Sequence, residues 1–255
     1  MHSYKGPISI LSIVLILGTA ATVLTMRSYT QQAQPIAKDA REEKRRAFPV
    51  VDFDTPQPAD KEVRAKREAR SKRYDKYSGQ QIQEAPLTSG RIFSSHWAND
   101  LSAIPVAESD VVLVGTVTSA EAYLSNDRTA IYSEFDTQID EVLKNGTLSL
   151  PIGTIATIER FGGTVRFRSG SVLTYETAGQ GMPLIGRKYL FFLKRISGDT
   201  QFRIVTGYEI GGSTVSPLDG SAVEEGTRQY VFDQYKGYEV FAFLQKVREA
   251  IAHLG

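Results

Sequence analysis

The segment from Ile131 to Leu143 constrains the fold most, because apolar and polar side chains alternate along it. Five alternating positions carry Ile131, Ser133, Phe135, Thr137 and Ile139, and the positions between them carry Tyr132, Glu134, Asp136, Gln138 and Asp140. A period of two is typical of a β-strand with one face in a core and the other in water. The strand is longer than the usual ~5–6 residues, so we expect partner strands on both of its edges.

Further strand signals lie on both sides of this segment. Short alternating or apolar runs joined by glycine-rich turns cover 111–117, 154–160, 165–168, 171–175, 188–195 and 202–206. Close spacing of short strands, without intervening helices, is typical of antiparallel architectures. We therefore predict a mainly β fold, with a small antiparallel β-barrel built on the central strand and a sandwich as the alternative.

The C-terminal part of the chain has a different period. Val240, Leu244, Val247 and Ile251 recur at helical spacing, which indicates one apolar stripe of an amphipathic helix. We predict a helix over residues 238–253 that packs on the β-domain of residues 86–255. A helix that binds a partner is the alternative.

Residues 7–26 are uncharged and mostly apolar. Twenty helical residues just span the hydrocarbon core of a bilayer, which is roughly 30 Å thick. We interpret residues 1–26 as one transmembrane anchor that contacts the lipid bilayer through 7–26, with a cleaved signal segment as the alternative. Long C-terminal domains translocate largely regardless of flanking charge. We therefore expect a single-pass membrane protein whose C-terminal domain is periplasmic or extracellular.

Residues 27–85 are rich in both acidic and basic side chains and poor in apolar ones. Such a composition buries too little apolar surface to offset its ordering entropy. We predict a disordered or partly helical tether, with helical spacing of charges over 60–73. A basic stripe for anionic lipid or nucleic acid is the alternative.

Composition excludes several kinds of site. The chain has no cysteine, only three histidines, and a net charge of +1. Thiolate metal sites and thiol nucleophiles are therefore absent, and no histidine pair has metal-ligand spacing. The small net charge does not favour nucleic acid. We predict no cofactor and no enzymatic activity.

Two groups of side chains are candidates for a site. Arg160, Arg166 and Arg168 form a local basic cluster interleaved with Phe161 and Phe167, and small barrels often bind ligands on such faces. This cluster is the predicted ligand-binding site. The alternative is an edge hairpin whose arginines simply face solvent.

The carboxylates of the central strand form the second group. Glu134, Asp136 and Asp140 lie on one face of the strand, with Glu134 and Asp136 about 6–7 Å apart at strand rise. Paired carboxylates perform acid–base chemistry in glycosidases. We favour the other interpretation, in which these acidic side chains solvate the outer face of the strand.

Four segments together resemble known proteins: Val111–Ser119, with its Val-Gly-x-Val pattern; Tyr132–Lys144, ending in Val-Leu-Lys; Gly153–Ile158; and Pro183–Leu193, with Gly-x-x-Tyr-Leu-x-Phe-Leu. The pattern resembles uncharacterised bacterial envelope proteins and is similar to the tissue-inhibitor-of-metalloproteinases and netrin-like family. The resemblance covers residues 109–210 and implies a barrel of the oligonucleotide/oligosaccharide-binding (OB) type. Inhibitors of that family use an N-terminal cysteine on a protease zinc, which this chain lacks.

These observations together predict a membrane-anchored envelope protein whose OB-like barrel is a non-enzymatic binding module. We expect a protein partner at the barrel surface. An inhibitor-like or accessory subunit of an envelope enzyme is the alternative.

Overall fold

A computed structural model of the chain describes residues 48–84, 90–94, 101–146, 148–196, 200–220 and 231–254, with the backbone alone for 91–94. The predicted membrane segment, 7–26, lies outside these residues. Within them, no helix is both long and apolar enough to cross a bilayer.

The described residues form ten strands and two α-helices. In chain order these are β1 (Val50–Asp52), α1 (Lys61–Ser71), β2 (Gly90–Ser94), β3 (Val111–Leu124), β4 (Ile131–Lys144), β5 (Ile155–Phe161), β6 (Gly163–Arg166), β7 (Val172–Thr177), β8 (Lys188–Arg195), β9 (Phe202–Glu209), β10 (Ser216–Pro217) and α2 (Val240–Ala252). The predictions of a mainly β fold and of a C-terminal helix are confirmed.

The strands form two sheets. The larger has the order β10-β9-β5-β4-β3-β8, and β8 also pairs with β9. The pairings of β3, β4, β5, β9 and β8 therefore run round in a closed ring, in which only β5 and β9 are parallel. The smaller sheet has the order β1-β6-β7-β2, in which an antiparallel hairpin is flanked by two parallel pairings.

The central strand β4 has the predicted character on its apolar face. It pairs with β3 on one edge and with β5 on the other. The side chains of Phe135 and Ile139 are buried among apolar residues from all five ring strands. Phe135 lies opposite Ala120 on β3 and Ile158 on β5, so its ring is enclosed from both edges.

Gly115 lets β3 and β4 approach closely at a register shift between the two strands. A Cβ atom at this position would lie 2.5 Å from Cγ2 of Thr137 and 2.8 Å from the carbonyl oxygen of Gln138. Only glycine fits without displacing β4. This contact explains the glycine in the middle of the apolar β3 sequence.

A second apolar cluster packs α2 against the outer faces of β3, β8 and β9. Phe243 and Val247 of the helix are fully buried there with Phe192 and Tyr208. The carboxylate of Glu239 caps the helix by accepting hydrogen bonds from the backbone N–H groups of the second and third residues after it, at 2.9 and 2.7 Å. These two bonds lower the pKa of Glu239. The predicted packing of this helix on the β-domain is therefore observed.

The predicted tether is wrong for residues 48–84. Phe48, Val51, Tyr74 and Ile82 are buried in the apolar clusters of the β-domain. The helical tendency of 60–73 is confirmed by α1, but this helix lies on the β-domain. These buried apolar residues lie before and after the charged run and attach it to the β-domain. The prediction missed them because the average composition of the segment is highly charged. The predicted boundary at 85/86 falls outside the described residues.

Candidate binding site

Helix α1 presents a row of arginines to the outer face of β4 and β5. The helix begins after Asp60, whose carboxylate accepts hydrogen bonds from the N–H groups of Glu62 and Val63 at 2.8 and 2.9 Å. A short 3-10 turn, Lys72–Tyr74, continues it. Arg67 and Arg70 are one helical turn apart and therefore project in the same direction.

Glu134 of β4 is the main acceptor for these arginines. Its Oε1 lies 2.9 Å from Nη1 of Arg67, and its Oε2 lies 3.4 Å from Nη1 of Arg70. The Glu134 side chain is only 8% exposed. The expectation that Glu134 faces water is therefore wrong, because α1 covers this part of the strand.

Glu159 lies directly opposite Glu134 on the neighbouring strand β5 and is fully buried. Its Oε2 accepts a hydrogen bond from Nη2 of Arg73 at 2.5 Å, and its Oε1 accepts one from the Tyr74 hydroxyl at 2.7 Å. Nη2 of Arg203 lies 3.5 Å from the same Oε1. Two adjacent carboxylates would repel each other, and the surrounding guanidinium groups offset that repulsion.

Tyrosine rings complete the contact with Arg67. Its guanidinium carbon lies 3.2 Å from the centre of the Tyr123 ring, which is cation–π geometry. Its Nη1 is also 3.4 Å from the hydroxyl of Tyr132, which in turn bonds with the Ser71 hydroxyl at 3.0 Å. Tyr74 stacks on Tyr132 with 4.4 Å between ring centres. Charge, hydrogen bond and ring face therefore converge on one guanidinium.

The ionisation of this region follows from burial and charge. Burial raises the pKa of Tyr74, and the nearby Glu159 charge and hydrogen bond raise it further. Burial also raises the pKa of Tyr123 and of Tyr132, although hydrogen bonds from Ser71 and Arg67 oppose the shift for Tyr132. Burial lowers the pKa of Arg67, but Glu134 and the tyrosine hydroxyls outweigh it. The hydroxyls therefore stay protonated and the guanidinium stays charged at neutral pH.

We call this surface the acidic–aromatic face and define it as Tyr123, Tyr132, Glu134, Glu159 and Gln201. Gln201 is 1% exposed and accepts a hydrogen bond from Nη2 of Arg73 at 3.1 Å. The face contacts guanidinium groups through two carboxylates, the amide oxygen of Gln201 and the ring of Tyr123. These guanidinium groups belong to arginines of the same chain.

Sequence reasoning missed this face, although one signal was present. Arg64, Arg67, Arg70 and Arg73 recur at every third position, which is the spacing of side chains that share one side of a helix or 3-10 turn. The spacing indicates a docked helix side. It does not reveal the acceptors, because Glu134 and Glu159 lie more than sixty residues further along the chain.

The predicted site residue Arg160 lies inside the protein. Its side chain is 2% exposed, and its Nη1 and Nη2 lie 2.6 and 3.0 Å from the two carboxylate oxygens of Asp219. Its Nη1 also donates to the carbonyl oxygen of Gly181 at 2.5 Å. The same carboxylate accepts from the Gly181 N–H and the Thr206 hydroxyl at 2.9 and 2.8 Å. Arg160 is therefore a buried cross-link between β5 and the segment after β10.

Arg166 and Arg168 are exposed near the end of the β6–β7 hairpin. Arg166 makes a two-point ion pair with Asp52 of β1 at 2.6 and 3.1 Å. Arg168 is 91% exposed, and its Nε lies 3.8 Å from a carboxylate oxygen of Asp54. The structure therefore does not bring the three predicted arginines together on one surface, since Arg160 is in the interior.

A surface groove of about 750 Å³ lies beside β8 and β9. Its two cationic side chains are already paired, Arg187 with Glu209 at 2.7 Å and Lys188 with Asp140 at 3.0 Å. These pairs are largely exposed, whereas Glu134 and Glu159 of the acidic–aromatic face are buried. The groove is therefore a weaker candidate than the acidic–aromatic face.

The described residues contain no group of three metal-ligating side chains. No protein-family model matches the chain, and no curated protein is similar to it in sequence. Interpretation of the site therefore depends on its geometry.

Proposed function

We propose that this chain is a membrane-anchored envelope protein whose folded part is a non-enzymatic binding module on a small OB-like β-barrel. The closed ring of strand pairings carries the proposal. The pairings β3-β4-β5-β9-β8, with a return pairing from β8 to β3, support a five-stranded arrangement like that of OB domains.

The position of the acidic–aromatic face supports binding as the function. In OB barrels the second and third strands form the ligand-binding face, and here those strands are β4 and β5. Glu134 and Glu159 lie side by side on this face. Each carboxylate pairs with guanidinium groups, so the chemistry of this face suits an arginine-bearing protein segment better than the phosphates of nucleic acid.

The same contacts argue against acid–base catalysis by this carboxylate pair. Each oxygen of Glu134 accepts from an arginine, and each oxygen of Glu159 accepts from Arg73 or Tyr74. A general acid or base needs a carboxylate within hydrogen-bond reach of its substrate. Both carboxylates are paired with guanidinium or hydroxyl donors, an arrangement that suits recognition of guanidinium groups better than proton transfer.

The membrane part of the proposal follows from residues 7–26, which are uncharged and long enough to span a bilayer. With this anchor and the charged residues after it, the binding module acts close to the membrane on the periplasmic or extracellular side. A partner in the same membrane is then held at a high effective concentration.

Affinity purification from native membranes tests this function. We expect the tagged full-length chain to remain in membranes washed with alkaline carbonate, and to recover a protein partner in stoichiometric amount after mild solubilisation. The matched control is the full chain with Glu134→Gln and Glu159→Gln, which keeps the shape of the face and removes its charge.

Two outcomes would change the assignment. If carbonate releases the chain, the anchor is wrong, and if no protein is recovered above background, the binding module is wrong. A stoichiometric envelope enzyme whose activity changes on binding would favour the accessory-subunit alternative over a general interaction module.

A further inference from the structure

The acidic–aromatic face holds Arg67 in a site that has the features of an arginine receptor. The guanidinium lies on the Tyr123 ring, donates to Glu134 and reaches the hydroxyl of Tyr132. A planar guanidinium can satisfy a ring face and several acceptors at once, whereas a lysine ammonium cannot reproduce that arrangement. The face is therefore specific for arginine.

The helix that fills this site buries no apolar side chain against the β-domain. No residue from Lys61 to Arg70 is buried, and its one large apolar side chain, Val63, is 52% exposed. The side chains of Arg67 and Arg70 remain 19% and 24% exposed. The helix is therefore held on the face by the polar and ring contacts of Arg67 and Arg70, without an apolar side of its own.

The segments on either side of α1 are anchored independently of it. Phe48 and Val51 are buried before the helix, and Tyr74 and Ile82 are buried after it. Lifting α1 therefore costs polar contacts and leaves both apolar attachments in place. Local opening of this kind belongs to the low-stability end of a native structure.

The helix also leaves part of the face unused. Among the described residues, the buried Nε2 of Gln201 has no hydrogen-bond acceptor, although Oε1 of the same amide accepts from Arg73. A buried donor without an acceptor is costly. An acceptor brought by another docked segment would satisfy it, so α1 does not saturate this face.

We propose that the acidic–aromatic face is a receptor for an arginine-bearing helix of a partner protein, and that α1 occupies it in cis until the partner helix replaces it. This proposal rests on the proposed function as a binding module and names the surface and the chemistry of its ligand. The ligand is a helix with arginines three residues apart, as in Arg67 and Arg70.

A peptide-binding experiment tests the exchange. The probe is a fluorescent synthetic peptide with the sequence of residues 59–72, and the hosts are the full-length chain and its variant with Arg67→Gln and Arg70→Gln. We expect the variant to bind the peptide at least about tenfold more tightly than the wild type, because the cis helix reduces the available fraction of sites. Binding to the variant should weaken as NaCl concentration rises.

Two controls define what is recognised. A peptide with lysine in place of the three arginines should bind the variant less tightly, since lysine cannot reproduce the ring and hydrogen-bond contacts. Adding Glu134→Gln and Glu159→Gln to the variant should abolish peptide binding. The single Arg70→Gln variant, which loses the longer 3.4 Å contact, is the second host if the double substitution disturbs the circular dichroism spectrum.

Absence of peptide binding to a folded host would overturn the receptor proposal, as would equal binding of the arginine and lysine peptides. This failure is distinguishable from failure of the proposed function. A partner recovered from membranes by a chain that does not bind the peptide would leave the binding module in place at a different surface. If the peptide binds but no membrane partner is recovered, the receptor proposal stands and the proposed function at the membrane is contradicted.

Discussion

Replacing Asp219 by alanine is expected to lower the free energy of unfolding by about 3–5 kcal/mol, the usual effect of removing one partner of a buried ion pair. The carboxylate is fully buried and accepts four hydrogen bonds, from Nη1 and Nη2 of Arg160, the Gly181 N–H and the Thr206 hydroxyl. Without it, the Arg160 guanidinium stays in the interior with its charge uncompensated. Urea denaturation should show a lower midpoint with an unchanged slope.

The double variant Arg160→Met with Asp219→Ala is the matched control. It removes both charges and keeps an unbranched apolar side chain at position 160. Replacing a buried ion pair by apolar residues is often neutral, so the double variant should be more stable than Asp219→Ala alone. Ordinary surface substitutions change the free energy of unfolding by no more than about 0.5 kcal/mol. If Asp219→Ala changes it by no more than that, Arg160 is not buried against this carboxylate.

Replacing Phe135 by alanine is expected to cost about 3–5 kcal/mol, because it removes a large side chain from a fully packed site. Phe135 is fully buried and packs with apolar side chains from all five strands of the ring. Neighbouring strands fix its surroundings, so the cavity has little room to collapse. Denaturant unfolding monitored by circular dichroism measures the effect.

Gln138→Ala on the same strand is the control for Phe135→Ala. Gln138 is exposed and lies on the opposite face of β4, so its loss should change stability by no more than about 0.5 kcal/mol. If Phe135→Ala and Gln138→Ala are equally stable, the face of β4 that carries Phe135 is not the face that lies in the core.

The apolar half of the fold could be predicted from the sequence, because alternation is a local property. The core positions Phe135 and Ile139 follow directly from the period of two along β4, and α2 follows from the spacing of Val240 to Ile251. The parallel pairing of β5 with β9 could not be predicted in this way. It joins Ile158 to Phe202, and no local pattern specifies which distant strand will close a ring.

The docking of α1 on β4 and β5 could not be predicted, because its contacts are polar and join residues far apart in the sequence. Composition predicts a solvated tether for residues 60–73, yet three arginines there pair with carboxylates far along the chain. Alternation also fails on β5, where Glu159 and Arg160 are adjacent and both buried. Arg73 and Tyr74 of the 3-10 turn cover Glu159 on one face, and Asp219 pairs with Arg160 on the other.

Site-specific photo-crosslinking in native membranes tests the central claim most directly, which is that this chain binds a protein through the β4–β5 face. Gln138 is exposed on that face and Glu249 is exposed on α2. A photoreactive residue replaces Gln138 in the test and Glu249 in the control. The account predicts one discrete protein adduct from position 138, weaker when Glu134→Gln and Glu159→Gln are added, and none from position 249. An adduct at position 249 with none at 138 would contradict it.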